Sequence, residues 1–331
     1  MLRNQVIATN DIDRQNQQIT DRALYKMADQ ISMSASVTRL GVNHDATMMP
    51  MGKVLCGKVI TAEDGSLELR AVLDDFSEDY TSFIGPDNER LYFGFSHKDS
   101  RPFVDSVIDS DSDFAVSLNP IDFAPEDFCD VCKYIIEIEN GEVVTMAKKA
   151  AEPELEIIIT VAKYAFSYLL LQKTLDKTTD KLADKISDDV VHIYERIKKF
   201  VSNIFSKTDE NQRLTYVINA PDQPIELIVQ CDNADVLSGA LDKINDGVIS
   251  GTYQKFVQYL NGGIQKMQFL YNNQSGRWEL NYILSNQGQV IGTEKCYDRS
   301  ITMYRQLMNT PGAGFSIGAA VDYEVEEIHD A

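Results

Sequence analysis

Histidine is scarce in this chain, with four in 331 residues: His44, His97, His192 and His329. Imidazole chemistry, whether proton transfer or metal binding, has few places to reside. Cysteine is sparse as well. The five thiols, at 56, 129, 132, 231 and 296, are odd in number and irregular in spacing. That excludes a secreted disulfide framework and points to a reducing compartment. Cys129 and Cys132 form a C-x-x-C, but no second pair or nearby histidine completes a zinc site, so neither zinc nor redox chemistry is expected there. No metal or cofactor is expected elsewhere.

Positive charge is also in short supply. Lys and Arg number 31 against 51 acidic residues, a net charge of −20. Such a surface repels phosphate backbones unless a local basic patch intervenes. The densest basic run, Arg196, Lys198 and Lys199, lies among acidic and apolar neighbours, so nucleic-acid binding is excluded. From Asp74 to Asp113 eleven acidic residues face only Arg90, Lys98 and Arg101, which reads as a solvated face.

Long apolar runs are missing. The N-terminal "MLRNQVIATNDIDRQNQ" lacks the apolar core of a signal peptide. The most hydrophobic stretch, "IIITVAKYAFSYLLL" at 157–171, is interrupted by Lys163 and is short of the roughly 20 residues a spanning helix needs. A buried helix in a cytoplasmic protein is expected, without membrane association.

Between Glu154 and Ala220 there is neither Gly nor Pro. Within that run Leu175, Leu182, Ile186, Val190, Ile193, Ile197, Phe200 and Ile204 recur at steps of three, four or seven. The spacing predicts one long amphipathic helix or two stacked ones, with the stripe against a partner. That partner is the rest of the chain or, as a coiled coil, a second copy meeting along 155–205.

What is present divides into three segments, 1–150, 151–208 and 209–331, in an α+β chain. In the first, "ITDRALYKMADQIS" places Ile19, Ala23, Leu24, Met27, Ala28 and Ile31 at helical spacing. Strands Val54–Ile60 and Leu67–Leu73 form a hairpin around Asp64-Gly65. "FAVSLNPIDF" and "KYIIEIENGEVVTMAKK" supply further strands, the latter turning at Asn140-Gly141. The last segment reads as an α+β domain with an antiparallel sheet. It has a strand pair, two helices, and a meander with turns at Asn273–Gly276 and Asn286–Gly288. Trp278, the single tryptophan, is expected in its core.

"GFSIG" at 314–318 fits the spacing of a nucleophile elbow, but only His329 follows it and the next residues look like a strand, so Ser316 is set aside. The ordered set Asp13, Ala23-Leu24, Asn43-His44-Asp45, Pro50, Gly52 and Val54 resembles the prohead (capsid-maturation) serine proteases of tailed phages. The resemblance covers residues 5–75 well and 76–145 loosely, and it stops before the C-terminal half. It implies a small β-barrel-like protease domain in which His44 is the general base. The implied nucleophile is Ser117 in "DFAVSLNPIDF", with Ser96 as a second candidate and Glu137 or Glu139 as the acid that orients the imidazole. Two features around Ser117 depart from the family pattern, Leu118-Asn119 in place of the glycine that follows the serine and an early Pro120, and "RQNQQ" stands where a glycine and a second Asp are expected after Asp13.

Two functions follow from the resemblance. One is a serine endopeptidase acting on scaffold or capsid proteins, located in the cytoplasm or with the virion. The other is a fold whose chemistry has lapsed and which serves as an assembly or recognition platform, in a phage-derived or phage-defence setting. Both take a protein as substrate or partner.

Overall fold

The computed structural model describes residues 2–12, 17–42, 45–77, 79–105, 107–108, 110–145, 155–171, 180–208, 213–260, 263–309, 316–318 and 325–327. Among them the protein is mixed α+β with seven α-helices. The N-terminal third contains β1 (Leu2–Thr9), β2 (Gln17–Ile19), α1 (Asp21–Met33), β3 (Thr38–Gly41), β4 (Gly52–Thr61), β5 (Leu67–Asp75), β6 (Thr81–Ile84) and β7 (Arg90–Gly94). The middle contains β8 (Phe114–Leu118), α2 (Pro125–Lys133), β9 (Glu142–Thr145), β10 (Leu155–Val161), α3 (Lys163–Leu171) and α4 (Asp180–Phe205). There follow β11 (Leu214–Asn219), β12 (Ile225–Cys231), α5 (Ala234–Leu241), α6 (Val248–Tyr259), β13 (Ile264–Asn272) and β14 (Arg277–Ser285). Last come β15 (Val290–Thr293), α7 (Glu294–Asn309), β16 (Ser316–Gly318) and β17 (Val325–Glu327).

These elements belong to two compact units that interleave along the chain. One comprises Met1–Ser106, Ala147–Pro153 and Leu284–Ala331; the other comprises Val107–Met146 and Glu154–Ile283. The segments 1–150 and 209–331 therefore each supply both units, and the described elements of 151–208 lie in the second.

In the first unit, β1-β5-β4-β3-β16 form an antiparallel sheet. Its hairpin turns at Gly65, whose φ of +91° lies in the left-handed region that glycine enters without a Cβ clash. Helix α1 covers this sheet because Thr20 caps it, accepting from the Ala23 N–H at 3.2 Å, and because its apolar stripe is continuous. Ala23, Leu24, Met27, Ala28 and Ile31 pack on Leu40, Val54, Leu69, Ala71 and Leu73. Each of the larger side chains contributes about 1.5–3 kcal/mol of burial.

The second unit carries β14-β13-β12-β11-β10-β8-β9. Its sheet is mixed: β10 with β11, β12 with β13 and β8 with β9 are parallel, and the β12–β13 pair corrects the antiparallel sheet expected for 209–331. Helices join all three of these pairs, α2 lying between β8 and β9, and a parallel pair needs such a crossover. Register separates the faces. One face presents Phe114, Ile157, Tyr216, Val229 and Phe269 toward the helices, with Phe114 near Phe200 and Phe205 near Tyr216. The other presents Ser117, Glu156, Thr160, Thr215, Asn219, Glu226 and Gln268, all buried.

Two sequence readings are corrected. The run 155–205 is helical only from Lys163, where α3 and α4 follow: Leu155–Val161 is a central strand. Its β-branched Ile157, Ile158, Ile159, Thr160 and Val161 favour extended backbone, and pairing with β8 and β11 completes their hydrogen bonds. On α4, Ile193, Ile197, Phe200, Val201 and Ile204 are buried within this unit, so this part of the stripe is core. Second, "YIIEIENG" is not a strand. Tyr134–Ile138 continues α2 as one π-helical turn. Asn140, at φ +47°, stops it while the Gly141 N–H reaches back to the Ile135 carbonyl at 2.9 Å. The Asn-Gly that looked like a hairpin turn is a helix stop.

Candidate functional site

Of the four expected site residues, Ser117, Glu137 and Glu139 lie in the second unit, and His44 lies outside the described residues. Asp13 of the resemblance also lies outside them. Ser117 is the penultimate residue of β8, register-paired with Ile158 of β10 on one side and Val144 of β9 on the other. It is 1% exposed, and its hydroxyl has no hydrogen-bond partner. A nucleophile needs both a base within reach and a path for substrate. Neither accompanies Ser117 among the described residues.

Glu137 is exposed on the π turn, and Glu139 is buried as its cap. The strand expected to place both on one side is absent, so they point to different surroundings. Glu139 is fully engaged. Its Oε1 accepts from the Tyr134 hydroxyl at 3.0 Å, its Oε2 accepts from Arg196 Nε at 3.0 Å, and its carbonyl accepts from Arg196 Nη2. The guanidinium lies 4.7 Å over the Phe114 ring. Burial, and then the bond to Glu139, push the Tyr134 hydroxyl up to about 12. This carboxylate fastens α4 to the end of α2 and is not poised to orient an imidazole.

The loop that follows His44 belongs to the first unit, where α7 pins it from 249 to 252 residues away. Asp45 Oδ1 accepts from the Thr47 N–H and hydroxyl, both at 2.7 Å, closing a turn. Arg299 Nη2 donates to the Thr47 carbonyl at 2.7 Å, Met49 N–H donates to Ser300 Oγ at 3.2 Å, and Tyr80 donates to the Pro50 carbonyl at 2.5 Å. Burial pushes the adjacent Cys296 thiol up to about 11, although the Arg299 charge pulls the other way. Such a thiol is unreactive at neutral pH.

Below this loop, charges that sequence reading missed are gathered. Lys53 on β4 is 0% exposed, pairs across the strand with Asp74, and donates to the Asp99 and Arg101 carbonyls at 2.7 and 2.8 Å. Burial brings its ammonium down to about 8, against an opposing pull from Asp99. Arg101 joins Asp99 to the Ser34 and Leu55 carbonyls. Asp75 accepts from the Ser77 N–H and hydroxyl, from Tyr304 and from Arg3. Ser96, the second candidate nucleophile, donates to Asp74 at 2.5 Å and accepts from the N–H groups of Lys98 and Asp99. Its hydroxyl caps that turn.

The second unit holds a matching surprise. Lys266 and Glu226, on neighbouring strands, are bonded at 2.7 Å with both side chains buried. Gln268 Nε2 donates to Glu226 at 2.8 Å and contacts the Tyr282 hydroxyl at 2.9 Å, while Asn281 donates to Gln268 at 2.6 Å. The legible sign of these clusters was a charge inside an apolar strand, as in "GKVL", "PIELIV" and "IQKMQF".

Among the described residues no three His, Cys, Asp or Glu side chains are gathered to hold a metal ion. No described helix is long and apolar enough to cross a membrane. Compared with known proteins, the chain matches no family model, no curated protein and no solved structure.

Proposed function

We propose that the protein is a catalytically silent recognition or assembly platform for protein partners. The observation that carries this reading is Ser117: a serine on β8, 1% exposed, held between two paired strands with no group bonded to its hydroxyl. Glu139 supports it, being committed to Arg196 and Tyr134. A net charge of −20 selects against acidic partners and favours a protein with a basic surface. Ile136 and Ile138, 54% and 68% exposed on either side of Glu137, offer apolar contacts within that acidic surface.

The test is labelling of the purified protein with a fluorophosphonate probe, wild type beside Ser117→Ala and His44→Ala. The expected result is no labelling. Ser117→Ala is also expected to fold and to gain about 1 kcal/mol in chemical denaturation, because it removes a buried hydroxyl without a partner. Labelling that requires both Ser117 and His44 would overturn the platform reading and restore the serine endopeptidase.

A further inference from the structure

The C-x-x-C motif acquires a different meaning once it is placed. Cys129 and Cys132 both lie on α2, where Cys129 is exposed and Cys132 is half-buried. Residues three apart on a helix share a face. Helix rise and radius put their Cα atoms about 5 Å apart, inside the roughly 4.4–6.8 Å range of disulfides. Their Cβ atoms, about 5–6 Å apart on a regular helix, must close to about 3.5–4.5 Å for a bond. Bridging them therefore requires the turn to deform.

This helix is built to deform. Val131 is its one buried residue, and it has no side-chain N-cap. Polar ties hold it to the region of α4: Lys207 reaches Asp130 at 3.1 Å and Asp127 at 3.6 Å, and Arg196 holds Glu139 just beyond. The π turn begins at Tyr134, two residues after Cys132, and the Tyr134 hydroxyl bonds Glu139. A change of geometry at Cys132 thus passes through one turn of backbone to the buried Glu139–Arg196 pair.

We propose that Cys129 and Cys132 form a reversible dithiol–disulfide site whose oxidation loosens the Glu139–Arg196 lock. The oxidant class is a small disulfide such as oxidised glutathione. The Cys129 thiolate attacks one sulfur, the S–S bond of the oxidant breaks, and one thiolate leaves and takes up a proton. The Cys132 thiolate then attacks the Cys129 sulfur and expels the second thiol. Two electrons pass to the oxidant, and the two protons of the cysteines end on the released thiols. Burial, with Cys129 beside it, raises the Cys132 thiol, which fits Cys129 as the first attacker. Strain in the bridged turn makes the bond readily reducible, as a signalling disulfide in a reducing compartment must be. The site is independent of the platform reading.

The test uses the full-length protein carrying Cys56→Ser, since Cys56 is also exposed. It is equilibrated in glutathione buffers of graded ratio, quenched with acid, alkylated with N-ethylmaleimide and weighed intact. The expected result is that residues 129 and 132 lose alkylation together in a single two-electron transition, and that Cys132→Ser abolishes the paired loss. Hydrogen exchange at 134–141 is expected to quicken about tenfold on oxidation, the mark of a locally opened segment. The site is overturned if both thiols remain alkylated at the most oxidising ratio, or if each carries glutathione separately. Unchanged exchange at 134–141 in the disulfide form would overturn the link to the lock.

Discussion

Lys53 in the first unit and Lys266 in the second are both withdrawn from water, yet they are accommodated in different ways. Lys266 meets a carboxylate, Glu226, on the adjacent strand, and Gln268 occupies the other oxygen of that carboxylate. Lys53 gives its hydrogens to two backbone carbonyls of the 99–101 loop, while Asp99 and Asp74 act on it without a bond to it among those described. Carbonyl dipoles compensate a buried ammonium less than a full charge does, and the Lys53 ammonium falls to about 8. A buried lysine can thus serve as half of an ion pair or as a staple for a loop, and the Lys53 staple leaves its proton loosely held.

The most direct way to break this contrast is to make Lys266 a lone absence. Lys266→Met leaves Glu226 buried without its cation and is expected to cost about 4 kcal/mol in chemical denaturation. Adding Glu226→Gln, which keeps an acceptor for Gln268, is expected to restore the protein to within about 1 kcal/mol of wild type. A double variant as unstable as the single would mean that the pair does not act as a unit.

In the first unit, Gly288 is the place to strike. Its φ is +65°, and a Cβ there would collide with the Arg101 carbonyl oxygen and the Lys53 ammonium. Gly288→Ala is expected to cost about 3 kcal/mol from left-handed backbone and overpacking together. A variant as stable as wild type would show that the Lys53 site is not close-packed.

The smallest effect is read with pH. Because the Lys53 value of about 8 lies below its ordinary 10.5, the unfolded chain binds more protons between those two values. Stability contributed by this group therefore rises as pH rises from 8 to 10.5, by about 2 kcal/mol after allowance for solvent screening. Below pH 8 both states hold the proton and the term is constant. Lys53→Met is expected to lack this rise, and identical pH profiles for variant and wild type would sink the assignment.

Much of the architecture was legible where a pattern repeats within about ten residues. The α1 stripe, the hairpin about Gly65, the strands Ile264–Asn272 and Arg277–Ser285 and the buried Trp278 all stand as read, because each depends on neighbours a few positions away. Two segments misled. The apolar run at 157–171 fits a helix by hydrophobicity alone, and its β-branched first half becomes a strand once β8 and β11 flank it. The alternation in "YIIEIE" fits a strand, but α2 runs into it, and Arg196, 57 residues ahead, takes Glu139. The candidate site was less legible still. Nothing near Ser117 in the chain announces that β9 and β10 will enclose it.

Local periodicity, punctuation by Gly and Asn, and the excess of negative charge were settled by the amino-acid order itself, since short-range sterics and composition suffice for them. The burial of Ser117, the pairing of Glu226 with Lys266, the two carbonyls that face Lys53 and the hold of α7 on the 45–51 loop were decided only by tertiary structure. Each is a desolvation problem whose partners lie on other strands or tens to hundreds of residues away, and burial has no meaning until those partners have arrived.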